Sequence, residues 1–490
     1  MTTKTPILLI LTTKEYCNNF IFTGVLDQLE IDFELTILIP SSLKKPIEGS
    51  GYKIDVLPDS VFQQNEKNFI FMADLLRHKY RKKSKSFRYR DKRITATIWK
   101  NLKKILTPSL VRLPSGLRSD QAKRLRKSKF PNWFLFITEL NKRLVKEVGK
   151  PVVRKLIILA LAKPFVFRTV FKCLESSVKT PESLDGYLTS NHYTIVVLPS
   201  AAFEPTVAHL VKAKSKKSFK LLMIVDNWDN LSSKTVLWQK PDFIATWGPQ
   251  SSEHAVRIQG FKKSNLFEIG TARFASHSGV QYSNPNQAPI ENYVLYVGTF
   301  LKYDEYNCVN IISKEINSHP EIYGKLKIIY RPHPFASMDE RFHKSELDNV
   351  VIDRDITSFQ SNTGSFLNFE ASIEQQRNAR LIVGGLSSML IESSLLGKNY
   401  LALVHKEKMN FESPHRILAS YEHFEGISRL PNLYFVKEIS ELSRMFRSTF
   451  LEKQLSTDFI NRSLSYFYDT RPIKYGKKLE IVLTQIKNSE

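Results

Sequence analysis

The chain has 490 residues, too many for one compact core, and its 42% apolar content with 32 Phe and 19 Tyr can fill two cores, which excludes a disordered protein. Its formal charge of +24 calls for something acidic: nucleic acid, anionic lipid headgroups or an anionic substrate. Cys17, Cys173 and Cys308 lie far apart, without paired or metal-ligand spacing, which argues against a disulfide framework or a structural zinc site and for a reducing compartment, the cytoplasm.

Residues 6–11 form an apolar run too short for a signal-peptide core and read as a first strand. Nothing approaches about eighteen consecutive apolar residues, so no transmembrane helix is expected. Residues 7–11, 34–39 and 52–57 read as strands, with a helix-length segment at 17–28 between the first two. This begins an alternating α/β domain. The loop Thr12-Thr13-Lys14-Glu15 then falls at the carboxyl edge of the sheet, either facing a substrate or forming a solvated turn.

Between Arg77 and Lys129 roughly twenty Lys and Arg stand against Asp91 and Asp120 alone. The run is densest at Arg81-Lys82-Lys83-Ser84-Lys85, Arg88-Tyr89-Arg90 and Lys92-Arg93. Tyr80, Phe87, Tyr89 and Trp99 are suited to a membrane interface or to stacking on bases. Basic residues also flank the apolar patch of residues 152–163 and Phe165-Val166-Phe167-Arg168, a pattern for a helix lying on an anionic bilayer or for a buried helix.

The α/β pattern resumes with a strand at 194–198, ending in Pro199-Ser200-Ala201-Ala202-Phe203-Glu204-Pro205. A strand at 220–225 ends in Asp226-Asn227-Trp228-Asp229-Asn230-Leu231-Ser232-Ser233-Lys234, a polar set that is costly to bury without a purpose. Residues 243–246 are a strand, Ser251 or Ser252 is the expected N-cap of the next helix, and 265–270 is one more strand. Residues 276–290, rich in Ser, Asn, Pro and Gln, read as a linker.

A second α/β domain opens with a strand at 293–297 that stops at Gly298-Thr299. A strand at 325–330 delivers Arg331 and His333, held by Pro332 and Pro334, to the carboxyl edge, where Arg331 can fork onto phosphate oxygens and His333 can donate to a departing oxygen. Residues 350–352 form a strand followed by a turn at Asp353-Arg354-Asp355. A helix at 369–380 precedes the apolar run 381–383, which stops at Gly384-Gly385 and passes through Leu386-Ser387-Ser388 into a helix expected over 387–397. Such a turn suits a phosphate or diphosphate, or is an ordinary glycine turn with a Ser N-cap. Residues 400–404 form a strand, and 453–490 are mostly helical.

Two Rossmann-like halves, a central linker and a final helical segment resemble the GT-B fold of glycosyltransferases. The resemblance implies an acceptor domain at 1–285 carrying a basic helical insertion at about 60–185, a nucleotide-donor domain at 290–455, and a segment at 456–490 packing back on the first domain. His333-Pro334 with Ser387-Ser388 is similar to the His-Pro and Ser-Ser/Thr motifs of bacterial sialyl- and Kdo-type capsule transferases, which contact the phosphate and nucleotide of a CMP-sugar. The segment from Trp228 to Lys234 has the spacing of the Trp-His-Gly-Thr-x-x-Lys segment of CDP-glycerol glycerophosphotransferases, the teichoic-acid polymerases. Asp229, Asn230 and Leu231 replace that family's histidine, glycine and threonine, so the chemistry can differ.

The expected reaction is transfer of a sugar, or a polyol phosphate, from a CMP- or CDP-linked donor to a surface polysaccharide or lipid-linked glycan. It needs a rigidly held donor, charge relief on the leaving phosphate and a base for the acceptor hydroxyl. Gly298, Thr299, Arg331, His333, Ser387 and Ser388 are candidates for the first two tasks. Glu392 would accept from a ribose or compensate a helix dipole, and Lys234 would neutralise phosphate or pair with Asp229. Asp229 is the first candidate for the base and Glu204 the second. No Asp-x-Asp pair sits at a strand end, so neither a metal nor any other cofactor is expected. The expected location is cytoplasmic, peripheral at the inner face of the membrane through the basic insertion. Two other classes stay open: a nucleic-acid-binding protein using that insertion, although no helix-turn-helix, zinc-finger or RRM signature appears, and a nucleotide-sugar epimerase.

Overall fold

The computed structural model describes residues 4–64, 66–92, 157–201, 204–277, 292–300, 303–334, 338–344, 347–353, 369–406 and 413–489. The expected linker at 276–290 lies almost wholly outside the described residues, as do Trp99, most of the 77–129 basic run and residues 152–156. The chain divides into two compact units, Met1–Phe69 with Val178–Glu490, and Ile70–Ser177.

The larger unit holds two parallel sheets. The first contains β1 (Thr5–Ile10), β2 (Phe33–Pro40), β3 (Ile54–Leu57), β4 (Ile195–Ser200), β5 (Lys220–Val225), β6 (Phe243–Thr246) and β7 (Leu266–Glu268), in the order β3-β2-β1-β4-β5-β6-β7. The second contains β8 (Tyr293–Val297), β9 (Lys327–Arg331), β10 (Val350–Ile352), β11 (Leu381–Gly384), β12 (Tyr400–Leu403) and β13 (Leu433–Val436), in the order β10-β9-β8-β11-β12-β13. Every paired strand is parallel. The central strands are apolar without alternation, Tyr-Val-Leu-Tyr-Val in β8 being buried throughout, because helices cover both faces. In each sheet the strand order reverses beside the first strand, between β1 and β4 and between β8 and β11, and ligands bind outside the carboxyl ends at such points. This is the GT-B architecture, two Rossmann-like sheets whose carboxyl edges face one cleft.

The helices that position the cleft are α1 (Lys14–Ile21), α2 (Pro205–Lys214), α3 (Pro249–Arg257), α4 (Glu305–Ser318), α5 (Phe369–Asn378), α6 (Met389–Leu395), α7 (Leu442–Leu451), α8 (Thr457–Leu464) and α9 (Tyr475–Asn488). From α9, Leu479, Val482, Leu483 and Ile486 enter the core formed by Ile7, Leu9, Leu35 and Ile37 of the first sheet. Each such burial is worth about 1.5–3 kcal/mol.

Several boundaries differ from expectation. The helix after β6 starts at Pro249 with Gly248 at its N-cap, not Ser251 or Ser252, because Pro at the first turn is already pre-set for a helix. Ser252 shares a 2.8 Å hydrogen bond with Thr246 instead. Helix α6 begins at Met389, since Ser387 and Ser388 complete the turn before it, and the Met389 N–H donates to Ser387 Oγ at 3.2 Å. Strand β13 and helix α7 were not anticipated; β13 is a four-residue edge strand whose two middle residues are half-buried, so it lacks a buried strand's signature.

The smaller unit is chemically distinct. Of the 72 Lys and Arg, 29 fall within residues 70–177, against 6 of the 48 Asp and Glu. The segment therefore carries +23 of the +24 charges and leaves 43 basic against 42 acidic residues elsewhere. Its described part includes most of the helix Glu66–Lys79 and the helix Pro164–Ser177. His78 Nδ1 lies 2.6 Å from Asp91, Lys79 sits over the Phe167 ring at 4.9 Å, and Phe167 stacks on Phe171 at 5.4 Å. Among the described residues no helix is long and apolar enough to cross a membrane.

Candidate active site

The carboxyl ends of both sheets open onto a cavity of about 630 Å³. From the first sheet, Lys14, Glu15 and Asn18 follow β1, and Asn227, Trp228, Asp229 and Lys234 follow β5. From the second, Gly298 and Phe300 follow β8, Arg331 to Pro334 end β9, Ser372 comes from α5, and Leu386 to Met389 and Glu392 follow β11. Of the residues read from the sequence, this one cavity gathers Asp229, Lys234, Gly298, Arg331, His333, Ser387, Ser388 and Glu392. Glu204 and Thr299 do not line it.

Local chemistry explains both exceptions. The Glu204 carboxylate accepts from Tyr16 Oη at 2.5 Å, Thr12 Oγ1 at 3.2 Å and the Ala201 N–H at 3.0 Å, which ties β4 to the β1 loop. Burial pushes its pKa up, and those hydrogen bonds oppose the push. The Thr299 N–H donates to Glu305 Oε1 at 2.8 Å, while Tyr330 donates to Glu305 Oε2 at 2.7 Å, so the Thr299 N–H is spent on a half-buried carboxylate within the protein. Gly298 is needed for close approach: a Cβ there would lie 2.9 Å from the His333 backbone nitrogen. The same holds at the Gly-Gly turn. A Cβ on Gly384 would meet Val297 O at 2.6 Å and Tyr400 Oη at 2.7 Å, and one on Gly385 would meet Thr299 Cγ2 at 2.9 Å. These glycines let β11 pack against β8 and thereby set Ser387 and Ser388 at the cavity.

On the β9 side, Arg331 Nη1 donates to Ser372 Oγ at 2.6 Å and its Nε lies 3.9 Å from Asp353. A guanidinium held in this way presents a fixed fork. Burial, and next the charge of Arg273, lower the His333 pKa to about 4, so its imidazole is neutral at pH 7 and offers one donor and one acceptor. Phe300 meets it edge-on at 5.7 Å. Glu392 accepts from Gln376 at 2.8 Å and faces Arg273 at 3.8 Å.

On the β5 side, the Asp229 carboxylate is held by three neighbours. Ser233 Oγ donates to Oδ2 at 2.7 Å, Lys234 Nζ lies 3.5 Å away, and the Asn230 amide, oriented to satisfy its partners, donates to Oδ1 at 3.0 Å. Asp229 keeps 24% of its side chain exposed toward the cavity. Trp228 is buried and anchors this loop, packing edge-on against His423 at 5.1 Å and Phe424 at 5.4 Å. Asp226, at the end of β5, is held well above the usual carboxylate range by burial and by Glu15, with Arg273 opposing.

Arg273 is the residue that motif reading passed over. It follows β7 and Gly270, at the same carboxyl edge that yielded the other candidates, and it acts on Asp226, His333 and Glu392 together. The edge rule alone would have flagged it. Glu15 was noted only as part of a loop, and the structure makes it an exposed carboxylate of the cavity wall.

No protein-family description matches the chain, and no curated protein matches it in sequence. Solved structures similar to it include the UDP-GlcNAc 2-epimerase of Methanocaldococcus jannaschii, at 11% identity and a TM-score of 0.46, with 98% of this chain and 100% of that one covered. A putative UDP-N-acetylglucosamine 2-epimerase of Listeria monocytogenes is 12% identical with a TM-score of 0.49, over 99% and 96% of the two chains. The calicheamicin glycosyltransferase CalG4 is 9% identical with a TM-score of 0.45, over 99% of each. Likenesses at this level do not bear on chemistry, and the fold assignment rests on the two strand orders.

Proposed function

We propose that the chain transfers a sugar from a nucleotide-activated donor, CMP- or CDP-linked, to a hydroxyl of a surface polysaccharide or lipid-linked glycan, on the cytoplasmic side of the membrane. The observation that carries this reading is the sorting of side chains within one cavity. A fixed guanidinium, a neutral imidazole and two hydroxyls stand at the ends of β9 and β11, and partly exposed carboxylates stand opposite them at the ends of β1 and β5.

In the proposed reaction, Arg331, His333, Ser387 and Ser388 hold the donor phosphate, with Arg273 adding charge from the first sheet. Asp229 takes the proton of the acceptor hydroxyl as that oxygen bonds to the anomeric carbon. The bond from this carbon to the phosphate oxygen breaks, and its electron pair leaves with the nucleotide. Charge relief on the departing phosphate comes from the two arginines and the hydroxyls, without a metal ion. Lys234 pairs with Asp229 at 3.5 Å, and Glu15 offers a second carboxylate to the acceptor. Polyol-phosphate transfer would use the same groups, in keeping with the spacing that the Trp228 to Lys234 segment shares with the teichoic-acid polymerases.

The test is a calorimetric screen of CMP, CDP, UDP, GDP and ADP on the full chain and on Arg331→Ala. The proposal expects one nucleotide family to bind and affinity to fall by tenfold or more in the variant, the scale of one lost charge-assisted contact. Failure of every nucleotide to bind would sink the reading. Turnover of a nucleotide-sugar to its epimer without an acceptor would replace it with the epimerase.

A further inference from the structure

We infer that the Ile70–Ser177 unit is a docking module for an anionic lipid surface, and that the part of it that enters the lipid is the segment around Phe165. Three observations converge on this. The unit carries nearly the whole excess charge of the chain, 29 basic against 6 acidic residues. Its described apolar side chains include Phe165 at 95% exposed, Ile157 at 44% and Val166 at 41%. In the helix Pro164–Ser177 no described side chain is buried, and the exposed Lys163, Arg168 and Lys172 flank Phe165 and Val166 in sequence.

Exposed apolar groups with cations close by in sequence fit the interface of an anionic bilayer, where the ring or aliphatic group enters the acyl boundary while the ammonium and guanidinium groups stay with the headgroups. A nucleic acid would account for the charge and for an exposed phenyl ring, which can stack on a base. It would not account for Ile157 and Val166, whose aliphatic groups have no flat face to stack and lose nothing by leaving water for lipid. The exposed aliphatic side chains therefore favour lipid. The inference stands apart from the donor reading, because none of these residues lines the cleft cavity.

The experiment is co-sedimentation of the full chain with phosphatidylcholine vesicles, with vesicles containing a quarter phosphatidylglycerol, and with a single-stranded RNA homopolymer, at about 0.1 and 0.5 M salt. The wild type and a Phe165→Ser/Val166→Ser variant are compared, with thermal unfolding and nucleotide binding confirming that the variant is folded. Binding to the anionic vesicles, absent on the neutral ones, weakened by salt and lowered about tenfold or more in the variant, is the expected result. The inference is overturned if no vesicle binds, if RNA binds more tightly than the anionic vesicles, or if the variant binds vesicles as well as the wild type.

Discussion

The two compact units of this chain use charge in opposite ways. Outside residues 70–177 the basic and acidic residues almost balance, 43 against 42, and the cavity between the two sheets is lined by charges of both signs, with Arg331 at the end of β9 and Asp229 and Glu15 past the ends of β5 and β1. Within 70–177 the charge is unbalanced, and the described apolar groups of Phe165 and Val166 stand out from it. The proposed surface partner is drawn from net charge, while the proposed chemistry uses charge that is locally paired and geometrically fixed.

Substitutions can break that comparison, and the largest expected effect is in the cleft. Asp229→Asn should lower the transfer rate by about 10²–10⁴-fold, as expected for loss of a general base. Steady-state kinetics with calorimetry should place the loss in kcat, with nucleotide affinity held within about twofold. A comparable loss of nucleotide affinity would move Asp229 to the donor side. Next comes the packing that shapes the cleft: Gly384→Ala forces a Cβ against Val297 O and Tyr400 Oη and should cost about 3 kcal/mol in a denaturant titration. An unchanged midpoint would show that β11 can shift away from β8.

A smaller effect concerns pH. His209 is buried, no ring-nitrogen partner appears among the described residues, and burial, then Lys212, lower its pKa to about 4. The unfolded chain binds that proton from about pH 6.5 downward, so the stability this group allows is complete above pH 6.5 and is lost as pH falls toward 4. His209→Leu should therefore raise stability by about 2 kcal/mol more at pH 5 than at pH 7.5, read from urea midpoints at the two values. Equal gains at both would place the proton elsewhere. The smallest effect belongs to the basic unit: Lys82→Glu with Lys83→Glu should leave nucleotide affinity within about twofold, because neither residue lines the cleft.

Much of this was legible in the sequence because parallel strands buried on both faces announce themselves as unbroken apolar runs. β5, β6, β8 and β10 fall on the residues expected for them. The cleft was legible through one rule, that side chains just past strand ends face the ligand, which located Asp229, Arg331, His333, Ser387 and Ser388. The same rule could not tell a side chain aimed at solvent from one claimed by a neighbour. Glu204 is drawn to Tyr16 by a contact between loops distant in sequence, and the Thr299 N–H is claimed by Glu305 six residues on. Nothing around Arg273 resembles a motif, although it lies just past β7 at the same carboxyl edge, and the structure sets its guanidinium 3.8 Å from Glu392.

The most direct test of the central claim is the nucleotide titration repeated across the two sides of the cleft, comparing the wild type with Arg331→Ala, Ser387→Ala and Asp229→Asn. One nucleotide family should bind, with affinity at least tenfold lower in the first two variants and nearly unchanged in the third. Equal binding by all four proteins, or by none, would contradict a donor site built from β9 and β11.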